Sequence, residues 1–105
     1  MEEVAVVYMT FKDREQALQI GRKLVEERLV ACVNILSRMT SLYWWEDQIQ
    51  EDTEVAAVAK TKQSLVGAVV ERVRQLHSYE CPCVVSWTID AGSEAFLEWV
   101  VRETG

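Results

Sequence analysis

The stretch Val4-Ala5-Val6-Val7-Tyr8-Met9-Thr10 decides the fold of this chain, because it predicts a β-strand that is apolar on both faces. Successive side chains of a strand point to opposite faces of the sheet, and a sheet with one face in water alternates apolar with polar residues. Here neither set is polar. The two sets are Ala5, Val7 and Met9 on one face and Val4, Val6 and Tyr8 on the other. The sequence therefore predicts a sheet that is covered on both faces.

The second apolar face needs a cover of its own. A later run, residues 55–59, is also apolar on both sides, and each such side chain left in water forgoes roughly 1.5–3 kcal/mol of burial. The simplest cover is another copy of the same chain. The alternative is that the last predicted helix folds across this face.

Outward from the first strand, the apolar patterns follow the order β-α-β-β-α-β and end with a short helix. Asp13, with Gln16 three residues later, predicts the start of the first helix, which should end near residues 27–29. The order predicts an α+β, ferredoxin-like fold in one domain, residues 1–105, with two helices on one face of a four-stranded antiparallel sheet. The remaining predicted elements are a strand at 32–45 with a bulge around 37–40, a turn at 46–48, a returning strand at 49–60 that completes an extended hairpin, a helix that begins near 61–64, a strand at 84–90 and a helix capped by Ser93.

The composition excludes several classes of protein. With 50% hydrophobic and 27% charged residues, the 105-residue chain has the mix of a folded domain. The net charge of −6 and the lack of basic clusters argue against nucleic-acid binding, and no apolar run approaches the roughly 20 residues that span a bilayer. The acidic start Met1-Glu2-Glu3 does not resemble a signal peptide. Three cysteines cannot all pair within the chain, so we expect reduced thiols and a cytoplasmic protein without a membrane partner.

Three consecutive aromatic residues, Tyr43-Trp44-Trp45, lie on the predicted hairpin. Because side chains of a strand alternate in direction, at least one of the three rings projects away from the local core. Aromatic side chains of this kind are typical of the centres of protein interfaces. We therefore predict that Tyr43, Trp44 and Trp45 contact a neighbouring subunit. The alternative is an ordinary core with one exposed ring.

The stretch His77-Ser78-Tyr79-Glu80-Cys81-Pro82-Cys83 concentrates side chains that can bind metal. Cys81 and Cys83 are two residues apart, so in an extended backbone their thiols point to the same side, with Cα atoms roughly 6–7 Å apart. Two thiolates on one side suit a soft cation, above all Cu(I), and His77 could add a nitrogen. The metal candidates are therefore Cys81, Cys83 and His77, with Cys32 from another strand as a weaker fourth. Because the ligands must lose protons, binding should weaken as the pH falls.

Other interpretations of these residues remain open. Free cysteines are commonly buried as small apolar side chains, which fits Cys32 between Ala31 and Val33. His77 follows the second predicted helix, where an imidazole can bind the last carbonyl groups. Cys81 with His77 also has the residue types of a thiol nucleophile and its base, but the sequence offers no orienting third residue or oxyanion site. We therefore expect no catalytic residues and no organic cofactor.

Five segments, in order and over nearly the whole chain, carry a further signal. Residues 26–35 resemble E-x-x-L-A-A-C-V-N-I, residues 41–46 resemble S-x-Y-x-W-E, and residues 54–61 resemble E-x-x-x-x-x-K-T. Residues 77–82 resemble H-P-Y-E-x-P, and residues 91–99 resemble a closing G-x-x-x-Y-x-x-W stretch. Together these motifs are similar to those of the CutA divalent-cation (copper) tolerance family.

The resemblance implies a ferredoxin-like fold assembled as a homotrimer, similar to the PII signalling proteins, and tolerance of copper and other divalent metal ions without established catalysis. It also attaches a role in protein assembly to animal members. Cys32 and His77 match family positions, whereas Cys81 and Cys83 stand where an aliphatic residue and a glutamate are usual. The Cys81/Cys83 pair is therefore a feature of this chain and is not inherited as a family ligand set.

Two functional hypotheses follow. The first is a trimeric, non-catalytic protein of divalent-metal tolerance that binds copper or zinc through the cysteines and His77. The second is a PII-like small-ligand sensor or protein-assembly scaffold, in which subunit clefts bind a small anion or a partner protein. Lys60, Arg72 or Arg74 would supply the positive charge for an anion.

Overall fold

The structure, a computed structural model, describes residues 2–105. A four-stranded antiparallel sheet has the strand order β2-β3-β1-β4, so that β1 is hydrogen-bonded on both of its edges. This topology confirms the predicted α+β, ferredoxin-like fold. The elements are β1 (Val4–Phe11), α1 (Arg14–Glu26), β2 (Cys32–Trp45), β3 (Gln48–Lys62), a 3₁₀ turn (Gln63–Leu65), α2 (Val66–Leu76), β4 (Val84–Thr88) and α3 (Glu94–Arg102).

One face of the sheet, which we call the helix face, carries the hydrophobic core. Val7, Met9 and Phe11 of β1 are fully buried there. The residues that complete the core are Val55, Ala57 and Ala59 of β3, Ala17, Ile20 and Leu24 of α1, and Val69 and Val73 of α2. The predicted strand–helix packing is therefore confirmed on this face.

The first helix begins where the sequence predicts. The Asp13 carboxylate accepts a hydrogen bond from the backbone N–H of Gln16 at 2.8 Å, which caps α1. One apolar stripe of α1 is buried and consists of Ala17, Ile20 and Leu24. Leu18 and Val25 lie on a second stripe and remain 39% and 41% exposed. The cap and the buried stripe fix how α1 lies on the sheet.

The β2–β3 hairpin is longer and its turn tighter than the sequence predicts. Glu46 and Asp47 form a two-residue turn with φ of 50° and 62°, and Gln48 already belongs to β3. Positive φ at both central residues is the geometry that matches the twist of hairpin strands. A bulge is present in β2 as predicted, but its register shift lies between Ile35 and Arg38, slightly before the predicted residues 37–40.

The start of the second helix was predicted too early. Lys62 still pairs with Val4, so the strand pairing continues through residues 61 and 62. A 3₁₀ turn follows, and α2 begins only at Val66. The last strand is correspondingly shorter than predicted and ends at Thr88 rather than at Asp90.

The opposite face of the sheet, which we call the second face, is apolar and incompletely covered. Tyr8 of β1 lies opposite Val58 of β3 and Val85 of β4. Helix α3 packs chiefly against β3 and β1. Val85 and Trp87 of β4 nevertheless remain 51% and 52% exposed. Within one chain, therefore, α3 does not complete the cover that the sequence requires for this face.

None of the helices in residues 2–105 combines the length and the apolar character needed to cross a bilayer.

The stability of the helix face can be tested by truncating one buried residue of α1. Leu24→Ala should lower the free energy of unfolding by about 2–5 kcal/mol, because Leu24 is fully buried and its truncation leaves a cavity. Leu18→Ala in the same helix is the control and should cost about 1 kcal/mol or less. Denaturant unfolding at one protein concentration measures both variants. Equal losses would contradict this orientation of α1.

Candidate functional site

A cleft of about 750 Å³ lies on the second face, between the β2–β3 hairpin and residues 79–83. The strand register explains why its walls come from three strands. Met39 pairs with Glu54, and Tyr43 pairs with Gln50, which places these residues on the same face as Tyr8. Because the alternation of side chains continues along β3, the hairpin and β1 present one continuous surface to the cleft.

A carboxylate and a phenol meet inside this cleft. Glu54 is only 8% exposed, and the Tyr79 hydroxyl donates a hydrogen bond to its Oε2 at 3.0 Å. Burial, together with the neighbouring Glu54 carboxylate, raises the pKa of Tyr79 well above its usual value. Tyr43 similarly donates to Asp52, and this hydrogen bond raises the pKa of Tyr43. Both phenols therefore remain protonated and act as hydrogen-bond donors at neutral pH.

His77 is buried behind the cleft and has a structural position. Its Nδ1 accepts the backbone N–H of Tyr79 at 3.1 Å, so Nε2 carries the proton and donates to the carbonyl of Thr10 at 2.8 Å. The ring stacks on Phe11 with centroids 5.1 Å apart. The imidazole thus joins the 77–79 segment to β1 rather than binding the last carbonyl groups of α2. In this arrangement neither ring nitrogen is available to a metal ion or to a cysteine thiol.

Cys81 and Cys83 are free, exposed thiols that both line the cleft. The backbone N–H of Thr10 donates to the Cys83 carbonyl at 3.4 Å, which holds this segment against β1. Partial burial, and then the charge of Glu54, raises the pKa of the Cys83 thiol. A raised pKa favours the protonated thiol over the thiolate, so Cys83 is not an activated nucleophile.

Cys32 lies apart from this pair. It opens β2 opposite Lys60, is half-buried, and is not among the residues that line the cleft. The structure therefore places Cys81 and Cys83 on the same cleft and His77 nearby with both ring nitrogens hydrogen-bonded, whereas Cys32 lies outside the cleft. Within residues 2–105, no three histidine, cysteine, aspartate or glutamate side chains converge in a metal-binding arrangement.

The three consecutive aromatic residues point in two directions. Tyr43 and Trp45 share the cleft face and are each 40% exposed. Trp44 alternates with them to the other side of the hairpin, where it still borders the cleft, and it is 71% exposed. Its direct partner Ile49 and its neighbour Leu42 are 66% and 67% exposed. The alternation that the sequence predicts thus leaves an apolar patch on each side of the hairpin.

The basic residues considered for anion binding have partners of their own. Arg72 binds Glu27 at 2.8 Å and Arg74 binds Glu71 at 2.6 Å, both on the helix surface. Lys60 donates to the side chain of Asn34. None of the three basic residues lines the cleft.

The sequence did not predict Glu54, Tyr8 or Met39 as site residues. A usable signal was present, because Glu54 is a single carboxylate at the start of the apolar run 55–59. A charged residue at the edge of a buried strand needs a polar partner, and Tyr79 supplies it here. The partner could not be identified without the register of β2 and β3 and the path of residues 77–83.

Comparison with known proteins gives consistent results over the whole chain. The family model described as CutA1 divalent ion tolerance protein matches residues 5–103. The divalent-cation tolerance protein CutA of Pyrococcus horikoshii is 40% identical, with 94% of this chain and 96% of that protein covered. The rice protein CutA 1, chloroplastic, is 37% identical over 94% of this chain, which spans 56% of the rice protein.

Solved structures agree with these sequence relatives. The divalent cation tolerance protein Cut A1 of Thermus thermophilus superposes with a TM-score of 0.93 at 41% identity, and the match covers 100% of both chains. Similarity of sequence and of fold over the same residues leads to one conclusion: the chain belongs to the CutA1 divalent ion tolerance protein family.

Proposed function

We propose that this protein acts in divalent-metal tolerance as a homotrimer that binds a soft metal ion, with copper as the first metal to test and without catalysis. The Pyrococcus and Thermus relatives are named as divalent cation tolerance proteins. The observation that carries the metal proposal is the pair of free thiols, Cys81 and Cys83, at one edge of an acidic cleft.

The geometry favours Cu(I) over zinc. Structural zinc sites use four ligands, whereas within residues 2–105 no third histidine, cysteine or carboxylate joins the thiol pair. Cu(I) is soft and accepts two thiolates as its only strong ligands. His77 and Cys32 belong to the ligand set only if the 77–83 segment rearranges or a second chain approaches, because His77 is bonded to Thr10 and Tyr79 and Cys32 lies elsewhere on the sheet.

The surface of the chain supports self-association. Val85 and Trp87 on the second face and Trp44 on the hairpin are all more than half exposed. Large apolar side chains exposed together on one face of a sheet or hairpin mark interaction surfaces. The number of three subunits comes from the family resemblance, and the exposed second face and hairpin supply the surfaces that a trimer would bury.

A non-catalytic role agrees with the side chains around the thiols. His77 uses Nδ1 to accept a backbone N–H, so it is not positioned as the base of Cys81. The pKa of Cys83 is raised, which disfavours a thiolate nucleophile. Three free cysteines also suit the reducing cytoplasm, the compartment that we propose, whereas the rice relative is named as chloroplastic.

The metal proposal is tested by replacing the thiol pair. The double variant Cys81→Ser/Cys83→Ser should lose Cu(I) affinity by at least about a hundredfold, because both strong ligands are gone. Competition with a Cu(I) chelator under anaerobic, reducing conditions measures the affinity. Cys32→Ser is the matched control and should bind as tightly as the unaltered protein. Tight binding by the double variant, or no binding by the unaltered protein, would contradict the proposed site.

The trimer is tested by placing a charge on the second face. Trp87→Glu should dissociate the assembly, because the new carboxylate would be buried without a partner at the proposed interface. Val25→Glu adds the same charge on the exposed stripe of α1 and should leave the assembly intact. Light scattering at micromolar concentration measures the mass of each protein. A monomeric unaltered protein, or a Trp87→Glu trimer, would refute this use of the second face.

A further inference from the structure

We propose that His77 is a positioning residue for the thiol pair, because its imidazole ends the pairing of β1 with β4 just before Cys83. In this role His77 sets the backbone of Cys83 and does not bind the metal ion itself. The part of the proposal that concerns copper rests on the proposed function. The part that concerns strand pairing rests only on contacts within the chain.

The pairing of β1 with β4 is a regular antiparallel ladder. At one end of it, the carbonyl group of Val4 accepts the backbone N–H of Ile89 at 2.9 Å. In an antiparallel ladder every second pair of residues exchanges two hydrogen bonds. The same register, continued two residues at a time from Val4, places Thr10 opposite Cys83. Thr10 and Cys83 are therefore expected to exchange two hydrogen bonds as well.

Only one of these two bonds is formed in the part of the chain that the structure describes, residues 2–105. The backbone N–H of Thr10 donates to the Cys83 carbonyl at 3.4 Å, which is longer than usual. The return bond, from the N–H of Cys83 to the carbonyl of Thr10, is absent there. This carbonyl instead accepts Nε2–H of His77 at 2.8 Å. A side chain thus occupies the acceptor that the ladder would use next, and β4 begins only at Val84.

Further contacts hold the imidazole and its neighbours in place. Nδ1 of His77 accepts the backbone N–H of Tyr79 at 3.1 Å, and the ring is 9% exposed. Between them, the Ser78 hydroxyl accepts a hydrogen bond from the side chain of Gln16 at 2.7 Å. Residues 80–82, in contrast, make no hydrogen bond to any other described residue. The segment is therefore fixed at its start and unbonded in its middle.

This arrangement decides how the two thiols can meet one ion. A strand residue whose N–H and carbonyl both pair with a neighbour has a fixed backbone, which also fixes the direction of its side chain. Cys83 keeps one long ladder bond and Cys81 has none, so their sulfur atoms can adjust to a shared Cu(I) ion. Without the imidazole, the buried Thr10 carbonyl needs another donor, and the nearest candidate by register is the N–H of Cys83.

Crystal structures of the unaltered protein, His77→Phe and His77→Gln test the strand pairing. Phenylalanine keeps an aromatic ring and removes both hydrogen bonds, so the Cys83 N–H should donate to the Thr10 carbonyl and β4 should begin one residue earlier. Glutamine can present an amide N–H in place of Nε2–H, so β4 should still begin at Val84. A Cys83–Thr10 return bond in the unaltered protein or in His77→Gln, or its absence from a folded His77→Phe, would overturn the proposal. If His77→Phe does not fold, the other two structures decide.

Competition with a Cu(I) chelator tests the effect on the thiol pair. His77→Phe should lower the Cu(I) affinity by about tenfold, the usual loss when a group that orients a metal ligand is removed, and His77→Gln should restore most of it. Ser78→Ala is the matched control, because it removes the contact with Gln16 and leaves Thr10 untouched, and it should bind as the unaltered protein does. Equal affinity of His77→Phe and the unaltered protein, or an equal loss in Ser78→Ala, would overturn the positioning role.

X-ray absorption of the copper-loaded unaltered protein separates positioning from ligation. It should show sulfur ligands and no imidazole nitrogen, and a Cu–imidazole signal would overturn the proposed role of His77. Absence of Cu(I) binding by the unaltered protein would overturn the proposed function together with the copper part of this proposal. The crystal structures would still decide whether His77 ends the strand pairing, so the two failures can be told apart.

Discussion

The structure depends on one constraint: β1 is the centre of the sheet and is apolar on both faces. Hydrogen bonds to β3 and β4 occupy both edges of β1. The strand is therefore internal to the sheet, and both of its apolar faces need a cover. Helices α1 and α2 cover the face of the sheet that carries Val7 and Met9. The other face, with Tyr8, is closed only in part. The cleft, the thiol pair and the proposed interface all border on this second face.

How much the sequence could predict follows from how local each signal is. The cap at Asp13, the alternation of β1 and the bulge in β2 depend on neighbouring residues, and all three were found. The end of β3 was misplaced because Lys62 is held by pairing with Val4, a contact between residues far apart in the chain. Helical spacing of the following residues could not reveal that pairing.

His77 shows why the candidate site was harder to predict than the fold. Its position near two cysteines made it a metal candidate, yet its imidazole bridges Thr10 and Tyr79 and stacks on Phe11. The His77 side chain therefore holds Tyr79 in position, and the Tyr79 hydroxyl donates a hydrogen bond to Glu54. The chain of contacts from β1 through His77 and Tyr79 to β3 combines three distant segments. Residue type alone identifies the members of such a network but not which of them bond to one another.

The hairpin explains how one short aromatic run can contribute to two surfaces. Tyr43 and Trp45 face the cleft, while Trp44 faces the opposite side, where Leu42 and Ile49 extend the apolar patch. Because side chains alternate along one backbone, a rotation of the strand that reorients Trp44 also reorients Tyr43 and Trp45. If the Trp44 side packs on a neighbouring subunit, that packing also fixes the orientation of Tyr43 and Trp45. Assembly would then hold the wall of the cleft rigid, which physically joins the cleft to the proposed subunit interface.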